Sequence, residues 1–422
     1  TSLLQANGTL GLIATNTVAQ GDSREVGLDA IVAAGFTITR AIQSRSWPAA
    51  SANLEYAAVW GTLGSVADAV PRVADDVPVS RISTLLEPQG RAAGNPIRLI
   101  ENAGIAFQGC IVLGMGFVLD TAEAQEWIAT DPRNAEVLFP YLNGEDLNSR
   151  PDAAASRWVI DFNDRTEPES ATYRLPYARV LEQVKPERSG KPKAVREAPW
   201  WLFLRTRPAM RKAIAELPEV LVIARVSKTV MPLRVPTGQI FHEKVVVFAT
   251  DSFGTQAILS SSIHQLWAIK YGTTMRTDAT YTPDIVFGSL PRPMSTDRLE
   301  AAGRSLDEER REVMLRRDLG LTRLYNLVND PGTQRDRDID RLRDIHVEVD
   351  EATMAAYGWD DMHLDHSFNS YRQVERWTVG PAARVEILDR LLLENHRRDE
   401  ARPSSPTSAR NRSPLDECTL FD

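Results

Sequence analysis

The sequence predicts an α/β segment with an incomplete sheet, followed by a mixed α+β domain and a mainly helical C-terminal region. Three observations lead to this prediction. Strand-like runs flank an apolar-periodic segment near the N-terminus, short apolar runs alternate with turn clusters in the middle, and long periodic segments fill the last third. The 422 residues suffice for two or three domains with cores of their own.

Residues 1–70 have the pattern of the second half of an α/β unit. The expected elements are a buried strand at 8–18, a helix at 26–34, and strands at 37–41 and 52–61. Because the strands of a parallel sheet are buried on both faces, the first strand needs neighbours within a sheet. We therefore expect its partners upstream of Thr1, and the chain to be the C-terminal part of something larger.

Composition shifts divide the rest of the chain. The expected regions are a Pro/Gly-punctuated connector at 71–110, a domain of short strands at 111–293, a helical region at 294–398 and a disordered tail, rich in Arg, Ser and Pro, at 399–422. In the strand domain, one helix should begin with Thr121 as its N-cap and end before Pro132.

The helical region carries its own start signals. Asp297 and Glu300 have the spacing of a capping box. The apolar residues expected to face the core from this first helix are Leu299, Leu306, Val313 and Leu315. A last helix is expected at about 382–398, with Val385, Leu388, Leu391 and Leu392 on one side.

Composition excludes several classes of protein. The hydrophobic content of 43% and charged content of 25% are ordinary for a soluble globular protein. No apolar run approaches the ~20 residues that span a bilayer, and no secretory signal opens the chain. The two cysteines, Cys110 and Cys418, lie far apart without metal-ligand spacing, which suits a reducing compartment. We expect a cytoplasmic protein without a membrane partner.

Charge is distributed unevenly along the chain. The formal net charge is −8, yet residues 185–234 hold twelve Lys/Arg and only four Glu. A basic segment within an acidic chain is typical of a surface that contacts nucleic-acid phosphates. The alternative is a solvated helix face or a charged loop.

The strongest candidates for DNA contacts lie in the segment 221–236, at the end of its strand-like apolar run. Arg225, Ser227 and Lys228 follow its apolar part. Arginine is the side chain best shaped for bidentate contact with guanine, and Ser and Lys suit phosphates. The further DNA-binding candidates are Arg205, Arg207, Lys191, Lys193 and Arg234. The alternative for Arg225 is an ion pair with an internal carboxylate.

Other residue patterns do not support catalysis or metal binding. The residues two places before the seven lysines are all non-acidic, so the Asp/Glu-x-Lys of a common nuclease core is absent from the sequence. Three other patterns have simpler explanations: Gly114 with Gly116 as a strand-edge glycine pair, Glu145 and Asp146 with Asp161 as a turn, and His363 with His366 as a loop. Ser260–Ser262 with His264 is not a nucleophile elbow, because the sequence has no G-x-S-x-G. The sequence therefore assigns no catalytic, cofactor-binding or metal-ligating residue.

Several blocks, in order, resemble MmeI-like restriction–modification enzymes and related adenine-specific DNA methyltransferases. PYLNGEDLNS (140–149) with RWVIDF (157–162), LVIARVSK (221–228) with VPTGQIF (235–241), ILSSSIHQLWA (258–268) and YTPDIVFGSLPRP (281–293) resemble their target-recognition region. LGLTRLYNLVNDP (319–331) and DEATMAAYGWDD (350–361) resemble the helical segment after it, and residues 11–48 resemble the late motifs of the methyltransferase domain.

The resemblance implies a fold and a function. It implies that residues 1–70 are the end of a Rossmann-like methyltransferase domain and that residues 111–293 form a target-recognition domain for double-stranded DNA. It also implies that the intact enzyme flips the target adenine out of the duplex and methylates its N6 with S-adenosylmethionine. The chain has no N-P-P or D-P-P tripeptide and no methyl-donor loop.

We therefore expect a C-terminal fragment or subunit of such an enzyme, from a restriction–modification or phage-defence system. It would be inactive alone and would partner an upstream methyltransferase segment. The alternative is a stand-alone, non-catalytic DNA-binding protein derived from such an enzyme.

Overall fold

The structure is a computed structural model that describes residues 4–19, 21–47, 55–88, 90, 94–227, 229–275, 278–371 and 374–401. It is a mixed α/β fold in which several small sheets are combined with many helices. Lys228, Cys418 and the predicted tail from residue 402 onward lie outside the described residues. None of the helices within these ranges is both long and apolar enough to cross a membrane.

The N-terminal unit is a five-stranded sheet with a helical crossover. Its elements are β1 (Thr9–Thr15), α1 (Gly21–Arg24), a π-helical turn (Glu25–Asp29), α2 (Ala30–Ala33), β2 (Phe36–Ser46), β3 (Glu55–Leu63), β4 (Arg72–Ala74) and β5 (Val77–Val79). The strand order is β1-β3-β2-β4-β5. A core of its own, which includes Leu28, Phe36 and Val59, lies under this sheet.

The pairing in this sheet differs from the expectation. β3 lies between β1 and β2 and is antiparallel to both, with Ile13 opposite Ala58 and Ala41 opposite Val59. Only β2 and β4 are parallel. The prediction of a buried first strand is wrong: Leu10 packs against the core of this unit, but Leu12 and Ile13 are exposed, and Ile13 is 59% exposed. Among the described strands, β1 pairs with β3 alone.

The middle of the chain contains three small sheets and nine helices within the described ranges. The elements are β6 (Ala106–Gln108), β7 (Val118–Leu119), α3 (Thr121–Thr130), β8 (Leu138–Leu142), α4 (Gly144–Ser149), β9 (Arg157–Ile160), α5 (Glu167–Ser170), α6 (Arg174–Ser189), α7 (Lys193–Arg196), α8 (Pro208–Ile214), β10 (Glu219–Ala224), β11 (Val226–Ser227), β12 (Leu233–Pro236), β13 (Ile240–Phe241), β14 (Val245–Phe248), α9 (Phe253–Ser260), α10 (Ser262–Tyr271), β15 (Thr273–Met275), β16 (Asp278–Thr280) and α11 (Pro283–Ser289). The sheets have the orders β12-β10-β14-β6, β13-β8-β9-β7 and β11-β16-β15.

The helix predicted after residue 120 is α3, shifted by one residue at its start. Asp120, not Thr121, is the N-cap, and its carboxylate accepts a hydrogen bond from the Glu123 amide over 2.8 Å. A carboxylate at this position accepts a hydrogen bond from an otherwise unpaired amide, and the positive end of the helix dipole stabilises its negative charge. The helix ends before Pro132, as expected.

The C-terminal region is helical and contains one hairpin that the sequence pattern did not predict. Its elements are α12 (Asp297–Arg316), α13 (Leu321–Val328), α14 (Arg337–Tyr357), β17 (Ser367–Tyr371), β18 (Val374–Thr378) and α15 (Pro381–Glu400). α15 contains the predicted helix 382–398 and extends slightly beyond it.

The predicted capping box of α12 is wrong. Thr296 is the N-cap and accepts from the Leu299 amide, while the Glu300 carboxylate accepts from the hydroxyls of Ser252 and Ser295 instead. Leu315, expected to face the core, is exposed, because the close contact of α12 with α9 and α14 buries the opposite side of the helix.

The predicted connector contains regular elements that join the neighbouring sheets. β4 and β5 extend the first sheet, and β6 forms the edge of the sheet that contains β10 and β14. Between them, the buried Asn102 amide donates to the carbonyls of Phe287 and Leu290, and Asn395 exchanges two hydrogen bonds with the backbone of Ile97. This segment is therefore fixed against α11 and α15.

Candidate nucleic-acid interface

Arg225 lies where a buried strand leaves its sheet. The residues of β10 from Val220 to Ala224 are all buried, and Arg225 is the next residue. Its amide donates to the Lys244 carbonyl over 2.7 Å, and its carbonyl accepts from the Tyr281 amide over 2.7 Å. The backbone is therefore fixed on both sides at the residue whose side chain emerges.

The Arg225 guanidinium is half-buried and lacks an internal partner. Its Nε is buried without a hydrogen-bond acceptor, and within the described ranges no carboxylate pairs with the side chain. The alternative of an internal ion pair is therefore not supported. An unsatisfied buried guanidinium nitrogen costs free energy until an external acceptor reaches the group.

Arg205 and Arg207 lie close to Arg225. Arg205 is exposed and pairs through its backbone with Ile111. Arg207 is the N-cap of α8 and has a left-handed backbone, with φ of 56°. Burial is the main reason why the pKa of Arg207 is lowered, and the charges of Arg205 and Arg225 lower it further. Arg207 thus lies within electrostatic range of both other arginines, and such a concentration of positive charge is favourable where a polyanion binds.

The turn between β13 and β14 borders this cluster. Within it, the Lys244 amide donates to Nδ1 of His242 over 2.9 Å, and Lys244 is exposed. Burial lowers the pKa of His242, so the neutral imidazole carries its proton on Nε2. The ring of Tyr141 lies 5.4 Å from the His242 ring, and Arg157, opposite Tyr141 in the sheet, is exposed.

Ser227 and Arg234, both predicted DNA contacts, have internal roles. Ser227 is buried, donates to Asn148 Oδ1 and accepts from the Thr229 amide. Arg234 is buried, donates to the Asp251 carbonyl and to Gln256 Oε1, and lies 3.9 Å above the Phe253 ring. These contacts place Arg234 in the interior of the domain, which corrects the expectation that it faces DNA.

The rest of the basic segment is divided between interior and surface. Arg188 is buried and donates to the carbonyls of Val112, Leu113 and Pro199. The exposed members are Lys185, Lys191, Lys193, Arg196, Arg205 and Lys212. Part of the positive charge of residues 185–234 therefore belongs to buried arginines and not to the predicted DNA-binding surface.

The acidic, histidine and serine patterns of the sequence have structural roles. Asp146 forms a capping box with Asn143 at the start of α4, so the predicted turn 143–146 begins a helix. Asp161 pairs with Arg211, and His366 with Asp350. Ser261 caps α10, and His264 lies between the Leu259 carbonyl and the Tyr281 hydroxyl. Among the described residues, no three His, Cys, Asp or Glu side chains are grouped so that they could hold a metal ion.

Gly114 and Gly116 do not form a phosphate loop, nor the strand-edge pair expected from the sequence. They lie in a turn against α6, where a Cβ on Gly116 would be 2.6 Å from Cβ of Gln183. Both glycines therefore permit a close contact with this helix.

Four residues beside the cluster were not singled out from the sequence. They are Gln108, whose Oε1 accepts a hydrogen bond from Arg207, and Arg157, His242 and Lys244. They come from β6, β9 and one turn, which are separate in the sequence and meet only through sheet pairing. Of the four residues, only Gln108 has a sequence feature that could have marked it, because it is an isolated polar residue at the end of a short apolar run.

Comparisons with known proteins identify the domain that carries this surface. Residues 105–294 match the family model described as the target recognition domain of MmeI. The solved structure of the type IIL restriction–modification enzyme MmeI in complex with DNA has 16% identity and a TM-score of 0.62, covering 94% of this chain and 50% of that chain. The type IIG restriction endonuclease BpuSI has 11% identity and a TM-score of 0.34, covering 85% and 48%. No curated protein matches.

Residues 105–294 are therefore similar to the target recognition domain of MmeI, and the resemblance drawn from the sequence blocks is confirmed. The fold likeness to MmeI extends over nearly the whole chain, which spans about half the length of the two solved structures.

Proposed function

We propose that this chain selects the DNA sequence for a site-specific DNA N6-adenine methyltransferase of a restriction–modification or phage-defence system. In this proposal the recognition domain binds duplex DNA, and the N-terminal sheet supplies the last strands of the methyltransferase domain. The solved MmeI structure, a complex with DNA, has the same fold over 94% of this chain.

The observation that carries the proposal is the cluster of Arg205, Arg207 and Arg225 within residues 105–294. Its members repel one another, and Arg225 has a buried Nε without an acceptor. Bound DNA offsets the repulsion, because its phosphate and guanine oxygens are negatively charged or polar acceptors for guanidinium groups.

The roles within this surface follow from exposure. Arg225, fixed at the end of β10, is the candidate for reading a base edge. Arg205, Lys191 and Lys193 are exposed and suit contacts with the DNA backbone, which position the protein without sequence information. Lys228 keeps its proposed phosphate contact as a sequence-based expectation.

The N-terminal sheet supports a second part of the proposal, a methyltransferase segment as partner. β1 leaves one edge unpaired within the described residues, and Leu12 and Ile13 on it are exposed. An apolar strand edge of this kind is a template for a further strand. The partner would extend the sheet at β1.

S-adenosylmethionine is not assigned to any residue of this chain. The glycines closest to a donor loop in sequence, Gly114 and Gly116, are packed against Val184 and Gln183 of α6. These residues do not fit the methyl donor, so donor binding and transfer are assigned to the partner segment.

Two assays test the proposal. The 422-residue chain is mixed with a randomised duplex library, and bound sequences are determined. We expect an enriched motif; the absence of enrichment would contradict the recognition role. Methyl transfer from labelled donor is then measured for the chain alone and with the segment encoded by the adjacent upstream reading frame. We expect transfer only in the mixture, and transfer by the chain alone would overturn the division of roles.

A matched variant tests the partner edge. Ile13→Asp places a charge on the exposed strand edge, so it should abolish transfer in the mixture while the chain keeps its fold and its DNA motif. Val26→Asp, at an exposed apolar position outside the strand, is the control. Equal transfer by both variants would exclude the β1 edge as the partner surface.

A further inference from the structure

The side chain of Gln108 is oriented by two hydrogen bonds beside Arg207. Its Oε1 accepts from Nη2 of Arg207 over 3.1 Å, and its Nε2 donates to the Glu243 carbonyl over 3.1 Å. The reverse orientation of the amide would direct donor against donor and acceptor against acceptor. The network therefore fixes which end of the amide is oxygen.

Both partners of Gln108 are themselves held in place. Arg207 also donates through Nε to the Gly109 carbonyl over 3.1 Å, and its backbone is fixed as the residue that precedes α8. Glu243 lies in a turn closed by the Lys244 amide on His242 Nδ1 and by the Val245 amide on the His242 carbonyl. The position of the Gln108 amide is thus set before any ligand binds, which reduces the ordering cost of recognition.

Each internal bond uses only half of the capacity of the amide. Oε1 keeps a second lone pair and Nε2 a second hydrogen, and the residue is only partly buried. A glutamine amide that offers an acceptor and a donor side by side matches adenine, which presents N6–H and N7 in the major groove.

We propose that Gln108 is a specificity-determining residue that reads an adenine in the recognised DNA sequence, with Arg207 as its positioning residue. The inference rests on the proposed DNA-recognition function. Arg207, which donates through Nε to the Gly109 carbonyl and through Nη2 to Gln108 Oε1, acts on base reading through Gln108.

Library selection with the full chain tests the inference through three variants. Gln108→Met removes the amide at similar volume, so adenine preference at one motif position should fall by roughly 5- to 150-fold while the other positions keep theirs. Gln108→Glu can accept but not donate, so the preference at that position should change from adenine to cytosine, whose N4 amino group donates. Arg207→Lys keeps the charge but not the two hydrogen bonds made by Nε and Nη2. It should therefore lower the adenine preference at the same motif position without weakening binding to unrelated DNA.

The outcomes separate the two proposals. A wild-type motif that both Gln108 variants leave unchanged would overturn the role of Gln108, and the DNA-recognition function would stand. A wild-type chain without any motif would overturn the proposed function and this inference with it. Because Gln108→Glu predicts a new preference, a merely structural role of Gln108 cannot produce the expected result. Thermal unfolding checks that the variants fold.

Discussion

Asp161 accepts a hydrogen bond from Nη1 of Arg211 over 2.7 Å inside the recognition domain. The Asp161 side chain is 2% exposed, and Arg211 also donates to the Thr206 carbonyl. The pair joins the end of β9 to α8, which are fifty residues apart in sequence. A carboxylate that looked like a catalytic or metal-binding candidate thus fixes the helix that Arg207 caps.

Asp161→Asn should destabilise the chain by about 3 kcal/mol, because it leaves a largely buried guanidinium without its counter-charge. Urea unfolding at pH 7 measures the change. The control is Asp152→Asn, which breaks the exposed pair with Arg150 and should cost less than ~1 kcal/mol. Similar decreases in the free energy of unfolding for both variants would show that burial does not determine how much the Asp161–Arg211 pair stabilises the chain.

Two buried histidines should make stability depend on pH. Burial lowers the pKa of His264 and of His346 to about 4. The unfolded chain, whose histidines titrate near 6.5, therefore binds more protons between pH 6.5 and about 4. Stability is fully present above pH 6.5 and is lost as the pH falls toward 4.

His346→Gln should remove part of this loss. Between pH 7 and pH 5, each buried histidine should contribute on the order of 1–2 kcal/mol to the decrease in the free energy of unfolding. Tyr325→Phe is the control, since it removes the hydroxyl 2.8 Å from His346 Nε2 but leaves the imidazole buried. Urea unfolding at the two pH values gives the difference. A wild-type decrease retained in full by His346→Gln would contradict the assignment.

Arg225 and Lys193 should respond differently to truncation. Arg225→Ala should relax sequence preference at one motif position, by about 1–3 kcal/mol, because a fixed guanidinium reads one base. Lys193→Ala, at an exposed position beside Glu197, should weaken binding to all sequences alike and lower the salt dependence by about one counterion. Library selection and affinities at several salt concentrations measure both. Equal losses on every sequence for Arg225→Ala would exclude base reading.

Gly303 permits the close crossing of α12 and α9. A Cβ at this position would lie 1.9 Å from the Phe253 carbonyl oxygen. Gly303→Ala should therefore cost about 1–3 kcal/mol, although alanine favours helix by ~1 kcal/mol elsewhere. Gly238→Ala, where a Cβ meets nothing within 4 Å, is the control and should be nearly neutral in thermal unfolding.

Local signals predicted the helices better than the sheets. α3 and α15 were predicted to within a few residues, because their caps, proline stops and apolar spacing lie within one segment. The first sheet was not, since antiparallel insertion of β3 depends on pairing between distant residues. The hairpin of β17 and β18 carries no strong turn signal and was missed for the same reason.

The candidate interface shows the same division. The charge of residues 185–234 and the position of Arg225 after an apolar strand were visible in the sequence. The sequence could not show that Arg188, Arg211 and Arg234 are occupied internally, because their partners are carbonyls and carboxylates from other segments. Nor could it place Gln108 beside Arg207.

The sequence by itself determined the type of domain, because ordered blocks of residues carry the family resemblance, and it determined the stretch that supplies cationic side chains. Only the tertiary structure decided which of those cations face solvent and which glutamine lies among them. Charge and apolar spacing are properties of one segment, whereas burial and hydrogen-bond partnership are set by segments that meet after folding.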